Sequence, residues 1–267
     1  MKKIGIIGCG AIGSELARRI VREFRKRAEL VALCDLDKEK ARRLCEEIGI
    51  CVPICSIEET IKRGDLIIES ASAQVSAKIA RRCLEERKEV MVMSSGGLIG
   101  REEILKLAEQ RRKCLYIPSG ALAGIDGAKA IGLGRIYSVS LITRKPIKGL
   151  EGAPYIAQNK IDLSKIQGEQ TIFEGGIEEA EKAFPRNINI AATLSLALTC
   201  KQITVKIITS PDFKTNSHQL IIRGECGELK VEADNLPSSS NPRTSYLAIL
   251  SAIATLEDIL GYVRIGT

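Results

Sequence analysis

Short apolar runs and longer amphipathic stretches alternate through the first 120 residues. "KIGIIG" (3–8), "ELVALCD" (29–35), "DLIIESA" (65–71), "EVMVMSS" (89–95) and "CLYIPSG" (114–120) are of strand length and rich in Val, Ile and Leu. Between them, residues 12–27, 37–48, 74–87 and 101–112 carry apolar positions at helical spacing. In the first of these, Ile12, Leu16, Ile20 and Phe24 form one stripe. Strands that are apolar throughout are buried on both faces, as in a parallel sheet covered by helices. The pattern predicts a doubly wound parallel α/β domain.

The texture then changes. Residues 135–146, 203–210, 216–224 and 227–234 are longer runs with more alternation, and "IRGECGELKV" reads as a hairpin turning at Gly224–Gly227. They predict a smaller α/β domain with a largely antiparallel sheet. Residues 147–169 read as a long loop. "FPRNINIAATLSLAL" (184–198) leads into an Ala-rich helix. "RTSYLAILSAIATLEDIL" (243–260) is apolar on most faces, which predicts a buried helix returning to the first domain. The expected domains are thus 1–123 with 241–267, and 124–240.

Composition narrows the classes. The chain of 267 residues is 45% hydrophobic and 27% charged, as in ordinary globular proteins. Its formal charge of +7 is spread along helices and interleaved with acids, and aromatics are 3% with no Trp. Base-stacking platforms are therefore not expected, and neither is a nucleic-acid partner. No run reaches the ~18 apolar residues of a membrane span. Nine cysteines without a CxxC, and a single histidine, give no zinc pattern; Cys51 and Cys55 are the nearest approach to one. A reducing, cytoplasmic setting and no metal are expected.

"GCGAIG" (8–13) follows the first strand and opens the first helix. Gly8 suits a tight turn, Gly10 close backbone approach to a pyrophosphate, and Gly13 helix–strand packing. Ala11 and Ile12 begin the helix whose N-terminus would face the diphosphate. Asp35 closes the second strand, where its carboxylate can hold ribose hydroxyls and oppose a 2′-phosphate. A Rossmann-type domain binding NAD is expected. Lys38, Lys40, Arg42 and Arg43 just downstream leave NADP open.

Ligands of such sheets lie beyond the carboxyl ends of the strands. Ala71 and Ser72 in "SASAQ", Ser95 in "SSGGL", and Ser119 and Ala121 in "PSGALAG" occupy that edge; plain strand-to-helix turns would use the same small residues. His218 is the one imidazole, in a polar entry ("TNSHQL") to an apolar strand, and is the candidate for proton transfer near neutral pH. Asn187 and Asn189 precede the Ala-rich helix, where one would be a cap and the other could reach the nicotinamide. Asn241, Arg243 and Thr244 in "SSSNPRTS" suit a substrate carboxylate, or a capped linker.

Taken together, "GCGAIG", "PSGALAGIDG", "FPRNINIAATLSLA", His218 and "SNPRTSYLAILSA" resemble the L-aspartate dehydrogenase family over essentially the whole chain, in the same order. The resemblance implies a homodimer that oxidises L-aspartate with NAD or NADP to iminoaspartate. That product hydrolyses to oxaloacetate and ammonia or feeds quinolinate and NAD synthesis. It also places the family's catalytic histidine on His218, its cofactor-contacting alanine on Ala121, and its cofactor-contacting asparagine on Asn187 or Asn189.

Other dehydrogenases fit less well. Dihydrodipicolinate reductase needs a His-His pair, and sugar oxidoreductases carry Glu-Lys-Pro where this chain has "SSGG". The nucleophilic cysteine of aspartate-semialdehyde dehydrogenase would fall on Cys200 or Cys226, neither with an obvious base. Homoserine dehydrogenase relies on lysines, for which Lys129 or Lys206 would stand. A non-catalytic NAD-binding regulator is the alternative from another class.

Overall fold

The computed structural model describes residues 1–185, 188–198, 202–239, 241 and 244–266. They divide into two compact units, Met1–Pro118 with Ile249–Arg264, and Ser119–Ala248 with Ile265–Thr267.

The first unit is built on β1 (Lys2–Ile7), β2 (Ala28–Cys34), β3 (Leu66–Glu69), β4 (Glu89–Val92) and β5 (Leu115–Tyr116), all parallel, in the order β2-β1-β3-β4-β5. Beside β2, Ile54 makes an isolated parallel bridge to Leu33, closed by Leu33 N–H to Pro53 O (3.0 Å) and Cys55 N–H to Leu33 O (2.8 Å). Counting this rudiment as a strand gives the Rossmann order 3-2-1-4-5-6. The helices are α1 (Ala11–Arg22), α2 (Lys38–Ile48), α3 (Ile57–Arg63), α4 (Ala73–Glu85) and α5 (Glu102–Arg111).

Local chemistry sets several boundaries. Asp37 caps α2 by accepting from Glu39 N–H, and Gly49 ends it with φ 70°. Ser56 and Glu59 form a reciprocal capping box on α3. The expected helix 12–27 stops at Arg22 because Phe24 O accepts from both Arg27 and Ala28 N–H, a turn that feeds β2. Ile4, Ile6, Leu66, Ile68 and Met91 of the sheet form one core with Leu16, Ala17 and Ile20 of α1. Ile249, Ala252, Ile253 and Leu256 of the C-terminal helix (Tyr246–Leu260) complete it.

The second unit contains α6 (Ile125–Ile131), β6 (Ile136–Pro146), α7 (Pro154–Gln158), β7 (Gln170–Gly175), α8 (Ile177–Ala183), α9 (Asn189–Leu198), β8 (Ile203–Ser210), β9 (Asn216–Gly224) and β10 (Gly227–Asn235). Its sheet runs β10-β9-β6-β8-β7, antiparallel except for β6 with β8. Burial alternates along β6: Val139, Leu141, Thr143 and Lys145 point inward with Leu220 and Ile222 of β9 and Val205 and Ile207 of β8. The opposite face carries ion pairs, Arg144–Glu232 (3.3 Å) and Lys206–Glu174 (3.1 Å).

Several expectations need correction. The two units are nearly equal in length. Residues 119–123 and 241–248 lie with the second unit, whereas the expected boundaries put them in the first. Segment 147–169 is not plain loop: it holds α7 and two short 3-10 turns, and Tyr155 packs its ring 5.4 Å from Phe173 and 5.5 Å from Phe184. The last helix begins at Tyr246 rather than 243, because Tyr246 N–H is bonded to Leu236 O and Thr244 O accepts from Ser238 N–H.

Candidate active site

The glycine loop is shaped by contacts that exclude a side chain. Gly8 has φ 101°, and a Cβ there would lie 2.5 Å from the carbonyl of Ser70. A Cβ on Gly13 would lie 1.9 Å from Gly8 O. At Gly10, by contrast, a Cβ would meet nothing within 4 Å, so the backbone there is open to a ligand. No side chain caps the first turn of α1, which starts at Ala11 and Ile12 and contains no acid. Its free N–H groups and positive dipole end fit a diphosphate. Asp35 braces the loop, Oδ2 accepting from Cys9 N–H (2.7 Å) and Oδ1 from Asp37 N–H (2.8 Å). Each oxygen keeps a lone pair for a hydroxyl donor. These features fit a dinucleotide.

Glu69, unremarked in the sequence, organises the neighbouring strand ends. Its side chain is fully buried at the end of β3. Oε1 accepts from Ala71 N–H (2.8 Å) and Ser94 Oγ (3.0 Å), and Oε2 from Ser94 N–H (3.1 Å). Burial raises its pKa, while these hydrogen bonds oppose the rise. The clamp fixes the turns that carry Ala71, Ser72 and Ser95: Ala71 is exposed, Ser72 is the N-cap position of α4, and Ser95 is buried in a 3-10 turn. A glutamate ending the apolar run "DLIIE" was the available signal.

In the second unit, His218 sits on β9, opposite Thr143 of β6 and Ala233 of β10. Its side chain is buried, and Nδ1 shares a 3.0 Å hydrogen bond with Thr143 Oγ1. One register step further, buried Lys145 donates to Asn216 Oδ1 at 3.4 Å. Burial lowers the Lys145 pKa to about 8. Burial first, and the charge of Lys145 second, lower that of His218 to about 3. His218 is therefore neutral at physiological pH. Of this buried pair, Lys145 titrates closer to neutrality.

The remaining candidates separate. Ala121 O accepts from Asn235 Nδ2 (3.1 Å), and Asn235 Oδ1 accepts from Ser245 Oγ (2.8 Å), so one buried amide joins segments 119–123 and 244–246. Ser119 O accepts from Leu122 N–H (3.4 Å) in the same segment. Thr244 N–H donates to Asn241 O (2.9 Å). Asn189 is the first residue of α9 and exposed; Ile188, not an asparagine, accepts the first helical bond, from Ala192 N–H. Asn187 and Arg243 lie outside the described residues.

Comparison with known proteins bears on both units. Residues 126–259 match the family model "Aspartate dehydrogenase, C-terminal", and residues 8–118 match "Homoserine dehydrogenase, NAD binding domain". The L-aspartate dehydrogenases of Methanosarcina acetivorans and Methanosarcina mazei are each 45% identical to this chain, over all of both chains. The chain belongs to the L-aspartate dehydrogenase family. The crystal structure of aspartate dehydrogenase from Thermotoga maritima matches it with a TM-score of 0.74 over all of both chains, at 23% identity, which shows the shared fold.

The chain is accordingly an oxidoreductase whose first unit is an NAD-binding domain. Within this family assignment the two lysines considered for a homoserine-type site stand apart from His218. Lys129 is exposed on α6, and Lys206 is paired with Glu174 on the far face of the sheet. Cys226 is exposed in the β9–β10 turn, and Cys200 lies outside the described residues. Among the described residues, no helix is long and apolar enough to cross a membrane, and no three His, Cys, Asp or Glu side chains gather as metal ligands.

Proposed function

We propose that this chain oxidises L-aspartate to iminoaspartate with NAD, NADP being the alternative cofactor, and that water then yields oxaloacetate and ammonia. What carries the reading is the 45% identity to L-aspartate dehydrogenases along the entire chain, with an NAD-binding domain as its first unit. The cofactor supplies the hydride acceptor. The protein's part is to bind, orient and handle protons. Gly8, Gly10, Ala11, Ile12 and Gly13 receive the diphosphate. Asp35 takes the adenosine ribose, with Ala71, Ser72, Ser95, Ala121 and one of Asn187 and Asn189 lining the rest. Ser119, Asn241, Arg243 and Thr244 are the proposed substrate contacts.

The substrate ammonium must lose a proton before its Cα can release hydride. His218, held neutral, offers an unprotonated ring nitrogen to accept that proton, and can return it during imine hydrolysis. A substrate carboxylate nearby favours the imidazolium and so brings the proton affinity of His218 back up. The balance is aspartate, oxidised cofactor and water going to oxaloacetate, ammonium, reduced cofactor and a proton. The same reading takes the first unit as the cofactor domain, the second as the substrate and dimerisation domain, and the enzyme as a cytoplasmic homodimer whose imine serves quinolinate synthesis. The test is product analysis. Oxaloacetate and ammonia should form in equal amounts with reduced cofactor; a product that keeps its nitrogen after hydrolysis would overturn the proposal.

A further inference from the structure

We propose that Lys145 is a further substrate-contacting residue, whose ammonium receives a carboxylate of the dicarboxylate substrate on the sheet face that carries His218. The inference deepens the proposed function and rests on its reading of the substrate as an amino dicarboxylate. It begins with strand parity. Along β6, Val139, Leu141, Thr143 and Lys145 share the inward face, so a lysine occupies a position that strand alternation reserves for an apolar side chain. The β6–β9 register pairs Thr143 with His218 and Arg144 with Ser217, which brings Asn216 beside Lys145.

The Lys145 side chain is only 7% exposed, and no carboxylate among the described residues lies within ion-pair distance. Its sequence neighbour Arg144, on the outward face, has Glu232; Lys206 on β8 has Glu174. Acids thus serve the outward cations of this sheet, while the inward one has a single amide oxygen at 3.4 Å. Among the described residues, the strand register and hydrogen bonding set His218 and Asn216 of β9 and Thr209 of β8 beside it, and none of these is an anion. A buried cation is costly unless an anion meets it. Burial accordingly drives the ammonium down to about 8, and a bound carboxylate would restore its charge. The strand is held independently of the side chain, because Lys145 O accepts from Thr209 Oγ1 (2.7 Å).

The experiment is calorimetric titration of succinate, a dicarboxylate that cannot donate hydride, into the full chain loaded with reduced cofactor. Wild type, Lys145→Met, Lys145→Gln and the outward-face control Lys206→Met are compared, with aspartate kinetics on each. Loss of a charge-assisted contact predicts about 10- to 100-fold weaker succinate binding in both Lys145 variants and a matching rise in the KM for aspartate. The control should bind as wild type. Near pH 8.5, about where the free ammonium is partly deprotonated, succinate binding should take up protons in wild type and not in Lys145→Met. Folded Lys145 variants that bind succinate as wild type does would overturn the assignment, as would a wild type that binds none. Lys145-dependent succinate binding in a chain that fails to oxidise aspartate would remove the proposed function and leave the Lys145 site standing.

Discussion

Thr143 Oγ1 and His218 Nδ1 lie 3.0 Å apart across the antiparallel pair β6–β9, both buried. The hydroxyl engages one ring nitrogen and leaves Nε2 as the nitrogen not held by Thr143. Substituting His218 by Ala should lower kcat by about 10²–10⁴-fold, the usual worth of a positioned proton-transfer group. His218→Asn, which cannot take a proton, should fail nearly as badly. Thr143→Val should cost less, about tenfold, since it removes one hydrogen bond and leaves the ring in place. Affinity for the cofactor should stay close to wild type in all three. Steady-state kinetics with equilibrium cofactor binding checks the set; a well-folded His218→Ala at wild-type rate would remove His218 from the chemistry.

Asp35 is held by Cys9 and Asp37 N–H groups at the end of β2, in the position that meets an adenosine ribose. Replacing it with Ser removes both the charge and one of the acceptors. The ratio of NAD to NADP efficiency should move toward NADP by about 1–3 kcal/mol, or roughly 5- to 150-fold. Paired kcat/KM values measure this directly. An unchanged ratio would mean that Asp35 only braces the loop.

Burial disfavours the charged forms of both His218 and Lys145, lowering them from 6.5 to about 3 and from 10.5 to about 8. In each case the unfolded chain binds protons more readily, so stability rises with pH through the window. The Lys145 contribution is complete above 10.5 and is lost as pH falls through about 8. That of His218 is complete above 6.5 and is lost as pH falls toward about 3. Urea midpoints taken from about pH 8 to about pH 10 should therefore climb in wild type and climb less in Lys145→Met. Parallel curves for the two proteins would contradict the burial of a Lys145 ammonium.

Leu256 is fully buried in the core that α1 and the first sheet share with the C-terminal helix. Leu256→Ala should cost about 2–5 kcal/mol, read as a lower urea midpoint. Removing residues 243–267 should prevent cooperative folding of the first unit. A truncated chain that unfolds in two states and still binds NAD would show that the helix is dispensable there.

The first unit was largely legible because its strands are continuous apolar runs; "KIGIIG" and "ELVALCD" became β1 and β2 within a residue or two. β8 and β9 fell exactly where alternation placed them, at 203–210 and 216–224. What escaped notice is instructive. β7 (QTIFEG) begins and ends in polar residues, and α6 and α8 are short, so neither period is sustained. The rudimentary strand at Ile54 consists of a single bridge. At the site, the glycine loop carries its geometry in its own sequence. Lys145 does not, since a lysine in "ITRKP" reads as exposed until parity with Leu141 and Val139 is followed along the strand. Asn235 is likewise visible only once tertiary contacts bring Ala121 and Ser245 to it.

The most direct test of the account follows the hydride itself. Purified protein is given oxidised cofactor and L-aspartate deuterated at Cα, beside deuterated homoserine, glutamate and malate, and the reduced cofactor is examined by mass spectrometry. Aspartate alone should yield abundant reduced cofactor, heavier by one deuterium, with NAD at least as good an acceptor as NADP. No reduced cofactor from aspartate, or faster transfer from homoserine, would contradict the account.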